Sequence, residues 1–316
     1  MADKKVIAVT GATGNQGGGM VHAILADPGS GFAVRALTRD PKSEKAQALA
    51  KKGAEVVAAD EDDVESLRRA FQGAYGVFGV TFFWAHFSPE KEIAEAGNLA
   101  RAAKDAGVQH FVWSTLEDTR RFIPLSDNRM PTLQGKYKVP HFDSKGSSDH
   151  FFSDLGVPTT NLLTAFYWDN FVFFGMGPKR GPDGKLAITL PMEDKKLPSI
   201  AAGDIGGCAL GIFKRGKEFI GKTVGIAGGH PTGAEMAASF TRAFGQDVRY
   251  NAIPADAYRA LGFPGAEDLG NMFQFKCLFQ KEYVAARDLG FSRALYPKLQ
   301  TFDQWLAANK SRIAID

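Results

Sequence analysis

Short continuous apolar runs alternate with helically spaced ones through the first 165 residues. Val6-Ile7-Ala8-Val9 is an unbroken apolar run, the pattern of a strand covered on both faces. Met20, Val21, Ile24 and Leu25 then recur at three-to-four-residue spacing, and Pro28-Gly29 closes that helix. The same alternation predicts strands over 32–38, 55–59, 75–80, 111–114 and 159–163. Between them it predicts helices over 44–52, 64–71 and 88–106, and another that contains Lys145 and ends near Leu155. Gly53 stands just past one helix end, and Ser88-Pro89 opens another as cap and first-turn proline. Strand–helix alternation with short connectors implies an α/β fold, a Rossmann-type doubly wound parallel sheet.

After Ala165 the rhythm breaks. Residues 166–200 are aromatic and then rich in Gly, Pro and Lys, and the last third mixes helices with isolated strands. The expected organisation is a Rossmann domain over 1–165 and a second, smaller α/β domain, partly interleaved, over 166–316. There is no internal repeat and no low-complexity tract.

Composition removes alternatives. A chain of 316 residues with 44% hydrophobic and 23% charged residues reads as an ordinary soluble globular protein. Its 35 glycines suit the tight turns and close backbone approaches of parallel α/β folds. The formal charge of +3 is spread along the chain with no basic stripe, so nucleic acid is not an expected partner. Cys208 and Cys277 are far apart, and the six histidines show no ligand spacing, so neither a disulfide nor a metal is expected. Met1-Ala2-Asp3-Lys4-Lys5 lacks a signal-peptide layout, and no apolar run reaches the roughly 18 residues of a membrane span. The expected setting is cytoplasmic, with the nucleus as a second compartment and no membrane association.

Candidate chemistry begins at Gly11-Ala12-Thr13-Gly14-Asn15-Gln16-Gly17, between the first strand and the first helix. There, glycines let the backbone approach a pyrophosphate, and the helix N-terminus supplies free N–H groups and a positive dipole end. Gly11, Thr13, Gly14, Asn15, Gln16 and Gly17 are therefore candidate dinucleotide contacts. Thr38-Arg39-Asp40-Pro41-Lys42 follows the second strand, where an acidic residue would favour the free ribose hydroxyl of NAD. Arg39 and Lys42 instead suit a 2′-phosphate, and Asp40 stands one place late for the NAD role in this basic turn, so the expected cofactor is NADP(H). Asp60 and Glu61 are placed for the adenine edge or, with Asp62, for capping the next helix. Thr81, Phe82 and Phe83 end the fourth strand, where ligands of such sheets bind.

His141 and Lys145 are four apart and share a helix face. Lys145 is the candidate contact to the nicotinamide ribose, and His141 a candidate proton donor. Phe166-Tyr167-Trp168-Asp169-Asn170-Phe171 can wall a flat substrate or simply pack a core; the polar tips of Tyr167 and Asn170 mark them as ligand contacts, Tyr167 also as a catalytic candidate. Residues 216–223 match the spacing of a P-loop, but the predicted helix before them and strand after them invert its required order.

These motifs carry a resemblance. The loop at 11–17, Thr38-Arg39, the His141-Phe142-Asp143-x-Lys145-Gly146 block and Tyr167-x-x-Asn170 resemble the NmrA-like atypical short-chain dehydrogenases/reductases. Leu261-Gly262-Phe263-Pro264-Gly265-Ala266 and Thr301-x-Asp303-Gln304-Trp305-Leu306 are most similar to the animal NADPH-sensing (HSCARG-type) branch of that family. The resemblance implies a Rossmann domain with NADP(H) preference. It also implies a departure: short-chain reductases use a Tyr-x-x-x-Lys pair, and His141 stands where the tyrosine would be. The segment from Asp118 to Pro140, with Arg120, Arg121, Arg129, Lys136 and Lys138, is longer than in that branch. The expected function is a redox sensor or regulator that reads NADPH/NADP through a protein partner. The alternative is an NADPH-dependent reductase of a flat apolar carbonyl, quinone or imine-type small molecule. A homodimer is the expected assembly if the chain self-associates.

Overall fold

A computed structural model describes residues 4–315. The chain opens β1 (Lys5–Val9), α1 (Asn15–Leu25), β2 (Phe32–Thr38), α2 (Glu44–Lys51), β3 (Glu55–Ala58) and α3 (Val64–Phe71). It continues through β4 (Gly76–Gly79), α4 (Pro89–Asp105), β5 (His110–Thr115), α5 (Pro140–Asp154) and β6 (Thr159–Leu163). Then come β7 (Phe166–Tyr167), α6 (Asn170–Phe173), β8 (Lys179–Arg180), β9 (Leu186–Leu190), β10 (Ser199–Ile200), α7 (Ala202–Lys214) and β11 (Thr223–Gly225). The remainder is α8 (Gly233–Phe244), β12 (Val248–Ala252), α9 (Ala255–Arg259), α10 (Ala266–Leu278), α11 (Gln280–Ala285), α12 (Leu289–Leu295) and α13 (Phe302–Asn309).

Two compact units emerge. The first comprises residues 1–118, 141–164 and 203–224; the second comprises 119–140, 165–202 and 225–316. The first holds the expected doubly wound sheet, in the order β11-β6-β5-β4-β1-β2-β3. Pairings from β3 across to β6 are all parallel, with Ile7 opposite both Val34 and Gly76. Strand order reverses between β1 and β4, the point beside which such sheets bind ligands. The central strands are apolar on both faces, and Val77, Phe111 and Trp113 pack with Phe71, Leu99 and Phe152 of the covering helices. Helix starts follow local chemistry: Ser43, Asp63 and Ser88 accept first-turn N–H groups of α2, α3 and α4. Gly53, at φ +101°, lets the chain turn from α2 into β3.

In the second unit, β7 pairs with β10 in parallel, while β9 lies between β12 and β8. Thr232 and Glu235 form a reciprocal cap on α8. The aromatic run belongs to this unit's core. Phe166, Trp168 and Phe171 are buried, and Trp168 donates its indole N–H to Ser199 Oγ at 2.7 Å. Phe171 meets Phe240 edge-on, with ring centres 5.1 Å apart.

Candidate functional site

Strands β1 and β4, which flank the reversal of strand order, are tied at their ends. Thr10 Oγ1 donates to the Val80 carbonyl at 2.9 Å and accepts from Val80 N–H at 2.8 Å. The chain then turns at Gly11, whose φ of +56° suits glycine, and Gly14 starts α1 with no side-chain cap. No acid occupies the first turn, so the helix presents unsatisfied N–H groups and its positive dipole end. A Cβ on Gly17 would lie 2.3 Å from the Gly11 carbonyl oxygen and 2.4 Å from that of Thr10. Only glycine lets α1 leave β1 this closely. Gly11, Gly14 and Asn15 are exposed, Thr13 and Gln16 half-buried, and Gln16 Oε1 accepts from Ser114 Oγ at 2.7 Å. A bare, acid-free helix start ringed by glycines fits a pyrophosphate.

The helix is backed by a second glycine crossing. A Cβ on Gly19 would come within 2.4 Å of the Gly203 carbonyl oxygen, and one on Gly206 within 2.0 Å of Met20 N. Helices α1 and α7 thus touch backbone to backbone.

At the end of β2, Arg39 and Lys42 are exposed, and their side chains make no hydrogen bond or ion pair among the described residues. Asp40 has a local task instead. Its Oδ1 accepts Lys42 N–H at 2.9 Å, and its carbonyl accepts Ser43 Oγ at 2.8 Å, which shapes the turn into α2.

Beyond β3, the capping alternative for residues 60–62 does not hold. Asp63 caps α3, while Asp60 Oδ1 accepts Asp62 N–H at 3.1 Å in a tight turn. Burial pushes the Glu61 carboxyl up to about 7, opposed by its own backbone hydrogen bond and Arg39, and reinforced by Glu95 and Asp60. Burial likewise raises Glu95 to about 7; Lys91 pulls it down, Glu92 and Asp62 push it up, and Lys145 opposes. His86 Nε2 lies 3.6 Å from Glu95 Oε2, and burial lowers that imidazole's pKa. The folded chain holds these two carboxyl protons more tightly than an unfolded chain, in which the ordinary value is 4.5. Their stabilising contribution is therefore complete below about pH 4.5 and is lost as pH rises through 7. Glu95→Gln is expected to leave stability unchanged at pH 4 and to raise it by about 1 kcal/mol at pH 8, screening included. Denaturant unfolding at the two pH values checks this; an equal change at both would refute it.

The buried centre of the unit lies where β4, α4 and α5 meet. Gly146 lets α5 approach the end of β5, since a Cβ there would sit 2.3 Å from Asp118 N. That approach brings Lys145 to Thr81: its Nζ donates to Thr81 Oγ1 at 2.6 Å and to the Thr81 carbonyl at 3.1 Å. A third partner, Glu92 Oε1, lies 2.7 Å away. Glu92 has no exposed surface. Its Oε1 also accepts from Thr81 Oγ1 and its Oε2 from Ser144 Oγ, both at 2.7 Å. Lys145 is further 5.5 Å from the centre of the Trp113 ring. His141 is 6% exposed, with its ring 4.8 Å from Trp84 and 5.9 Å from Phe83. Phe83 is buried, whereas Phe82 is 62% exposed.

Glu92 and Ser144 were not among the sequence candidates. A signal for Glu92 exists: it falls on one face of α4 with Ala96, Leu99 and Ala103, all buried, so an acid sits in an apolar stripe. The remaining candidates lie in the second unit, where Tyr167 and Asn170 are half-buried. Of the basic residues in the 118–140 segment, Lys138 is buried and donates to the Asp127 and Met130 carbonyls, both at 2.7 Å. Arg129 pairs with Asp127 at 2.7 Å. Both cations thus serve that segment's own fold. Residues 216–223 run from a 3-10 turn at Gly216–Phe219 into β11, behind α7, which is the inverse of a P-loop.

The family profile described as NmrA-like matches residues 3–306. The chain belongs to the NmrA-like family. A relative from Cladobotryum sp, the NmrA-like family domain-containing oxidoreductase FrzB, is 31% identical over 289 residues, 85% of this chain and 83% of its own. Among solved structures, NmrA, a negative transcriptional regulator, superposes with a TM-score of 0.78 at 24% identity, covering 96% of this chain and 95% of its own. The triphenylmethane reductase of Citrobacter sp., complexed with NADP(H), gives a TM-score of 0.73 at 21% identity, covering 95% and 98%. One NmrA-like fold therefore serves a regulator and a reductase, and no helix among the described residues is long and apolar enough to cross a membrane.

Proposed function

We propose that this NmrA-like protein binds NADP(H) on its first unit, with the second unit meeting a substrate or protein partner. Gly11, Thr13, Gly14, Asn15 and Gly17 would hold the pyrophosphate, Arg39 and Lys42 the 2′-phosphate, and Asp60 and Glu61 the adenine edge. Gln16, held by Ser114, would shape the loop. Thr81, Phe82, Phe83 and Lys145 would face the nicotinamide half. When bound, the dinucleotide supplies a hydride donor or acceptor. Carrying the reading is one observation: an uncapped, acid-free helix start follows β1, and its neighbour β2 is followed by two exposed cations whose side chains make no hydrogen bond or ion pair among the described residues. The NADP complex of NmrA and the NADP(H) complex of triphenylmethane reductase support it as relatives in fold. Arg39→Ala is expected to weaken NADPH by about tenfold or more and NADH little, since one charge-assisted contact to the phosphate is removed. Equal losses for both in titration would remove Arg39 from the 2′-phosphate site.

Of the two uses for such a site, a regulator reading NADPH/NADP is favoured by the centre of the first unit. Lys145 has its three ammonium hydrogens engaged by Glu92 and Thr81, and no tyrosine stands at position 141. A Tyr-Lys proton pair is therefore missing at this position. The reductase reading is supported by relatives at 30–31% identity that bear the oxidoreductase name. One experiment separates them: NADPH consumption at 340 nm over quinones, aldehydes, ketones and imines, with hydrogen exchange measured with and without nucleotide. Silence in the panel with altered protection supports the regulator; steady turnover overturns it.

A further inference from the structure

We propose that Glu92 is the counter-ion and positioning residue of Lys145, holding its ammonium at the site until a ligand oxygen replaces the Thr81 carbonyl. This rests on the reading that Lys145 contacts the dinucleotide. An ammonium has three donors, and Lys145 meets three acceptors: Thr81 Oγ1 at 2.6 Å, Glu92 Oε1 at 2.7 Å and the Thr81 carbonyl at 3.1 Å. A ribose hydroxyl can gain a hydrogen only by displacing one of them. The carbonyl is the longest and the only uncharged main-chain acceptor of the three, so it yields first. Glu92 does not yield. It is wholly buried, and its two oxygens hold Lys145, the Thr81 hydroxyl and the Ser144 hydroxyl. Leaving that carboxylate without its cation is the costliest outcome for the site.

Two features make Glu92 an organiser rather than a bystander. Thr81 Oγ1 donates to Glu92 and accepts from Lys145, so carboxylate, hydroxyl and ammonium close a triangle with sides of 2.6–2.7 Å. Each member fixes the other two. Ser144, next to Lys145 on α5, anchors the far oxygen of Glu92, so α4 and α5 are joined at two adjacent residues. Lys145 thus acts as a fixed cation with one exchangeable hydrogen bond.

The test uses the full chain and Glu92→Gln, Lys145→Met and the double variant. Glutamine keeps the shape of glutamate and an acceptor oxygen, and removes the charge. Reductive dimethylation read by mass spectrometry reports how available the Lys145 amine is without nucleotide, with buried Lys138 as internal control. Glu92→Gln is expected to speed labelling of Lys145 about tenfold, the scale of one charge-assisted hydrogen bond, and to leave Lys138 unchanged. It is expected to weaken NADPH about tenfold in the native background and not at all once Lys145→Met is present, because a residue acting through Lys145 loses its effect with it. Unchanged labelling of Lys145 would overturn the proposal, as would an equal loss of NADPH affinity in both backgrounds. If Lys145→Met leaves NADPH affinity intact while labelling still responds to Glu92→Gln, the contact between Lys145 and the cofactor falls and the anchoring by Glu92 stands. Should Lys145→Met fold poorly, a higher melting temperature for the double variant than for Lys145→Met alone supports the pairing, and no gain overturns it.

Discussion

Lys145→Met is expected to lower the unfolding free energy by about 3–5 kcal/mol, because it strands a fully buried carboxylate. Glu92 has no solvent contact, and its remaining donors would be the hydroxyls of Thr81 and Ser144. Two neutral hydrogen bonds offset part of the desolvation of a carboxylate, which places the effect at the lower end of that range. Such a loss is a large share of the about 5–15 kcal/mol that holds a domain folded. Urea unfolding at pH 7 measures it. A loss below about 1 kcal/mol, the scale of an exposed ion pair, would mean that water reaches Glu92 and that the buried triangle is not closed.

The second large effect is expected at Gly17. Gly17→Ala should weaken NADPH at least about a hundredfold and cost about 1–3 kcal/mol of stability, since the added methyl overpacks a site with no room. The obstacle is backbone: the Gly11 and Thr10 carbonyl oxygens lie 2.3 and 2.4 Å from the new Cβ, and neither can turn aside as a side chain would. Helix α1 must therefore move away from β1 and carry its N–H groups with it. Gly203→Ala is the control, because a Cβ there meets nothing within 4 Å. Isothermal titration of both variants, with their melting temperatures, decides the matter. Unimpaired binding by Gly17→Ala would show that the loop holds no pyrophosphate.

Much of this is legible in the amino-acid sequence. Apolar runs such as residues 6–9 and 111–114 read as strands because both faces of a parallel sheet are covered, and that reports itself in composition. Ser88 announced its helix because a cap is a local bargain between one side chain and the next turn. What stayed hidden depends on distance in the chain. Glu92 stands out only as an acid in the apolar stripe of α4; that it meets Ser144 and Lys145, some fifty residues later, is not written in that stripe. The bond from Ser114 to Gln16 likewise spans 98 residues, and no periodicity encodes it. Asp40 was readable in kind but open in role, since the same carboxylate serves a turn or a ribose until its partners are known.

The glycine crossing of α1 and α7 has a consequence for how the chain comes to be folded. Residues 203–224 complete the first unit, supplying both the helix that backs α1 and the sheet's edge strand β11. During synthesis the first six strands emerge long before these pieces, with residues 165–202 made in between. Until residue 206 has been delivered, the back of α1 lacks its partner, and the loop at 11–17 is carried by an unsupported helix. Helix α1 is therefore made well before 203–224 yet is among the last pieces to reach its final form, and a ribosome stalled after β6 holds a sheet without its outer strand.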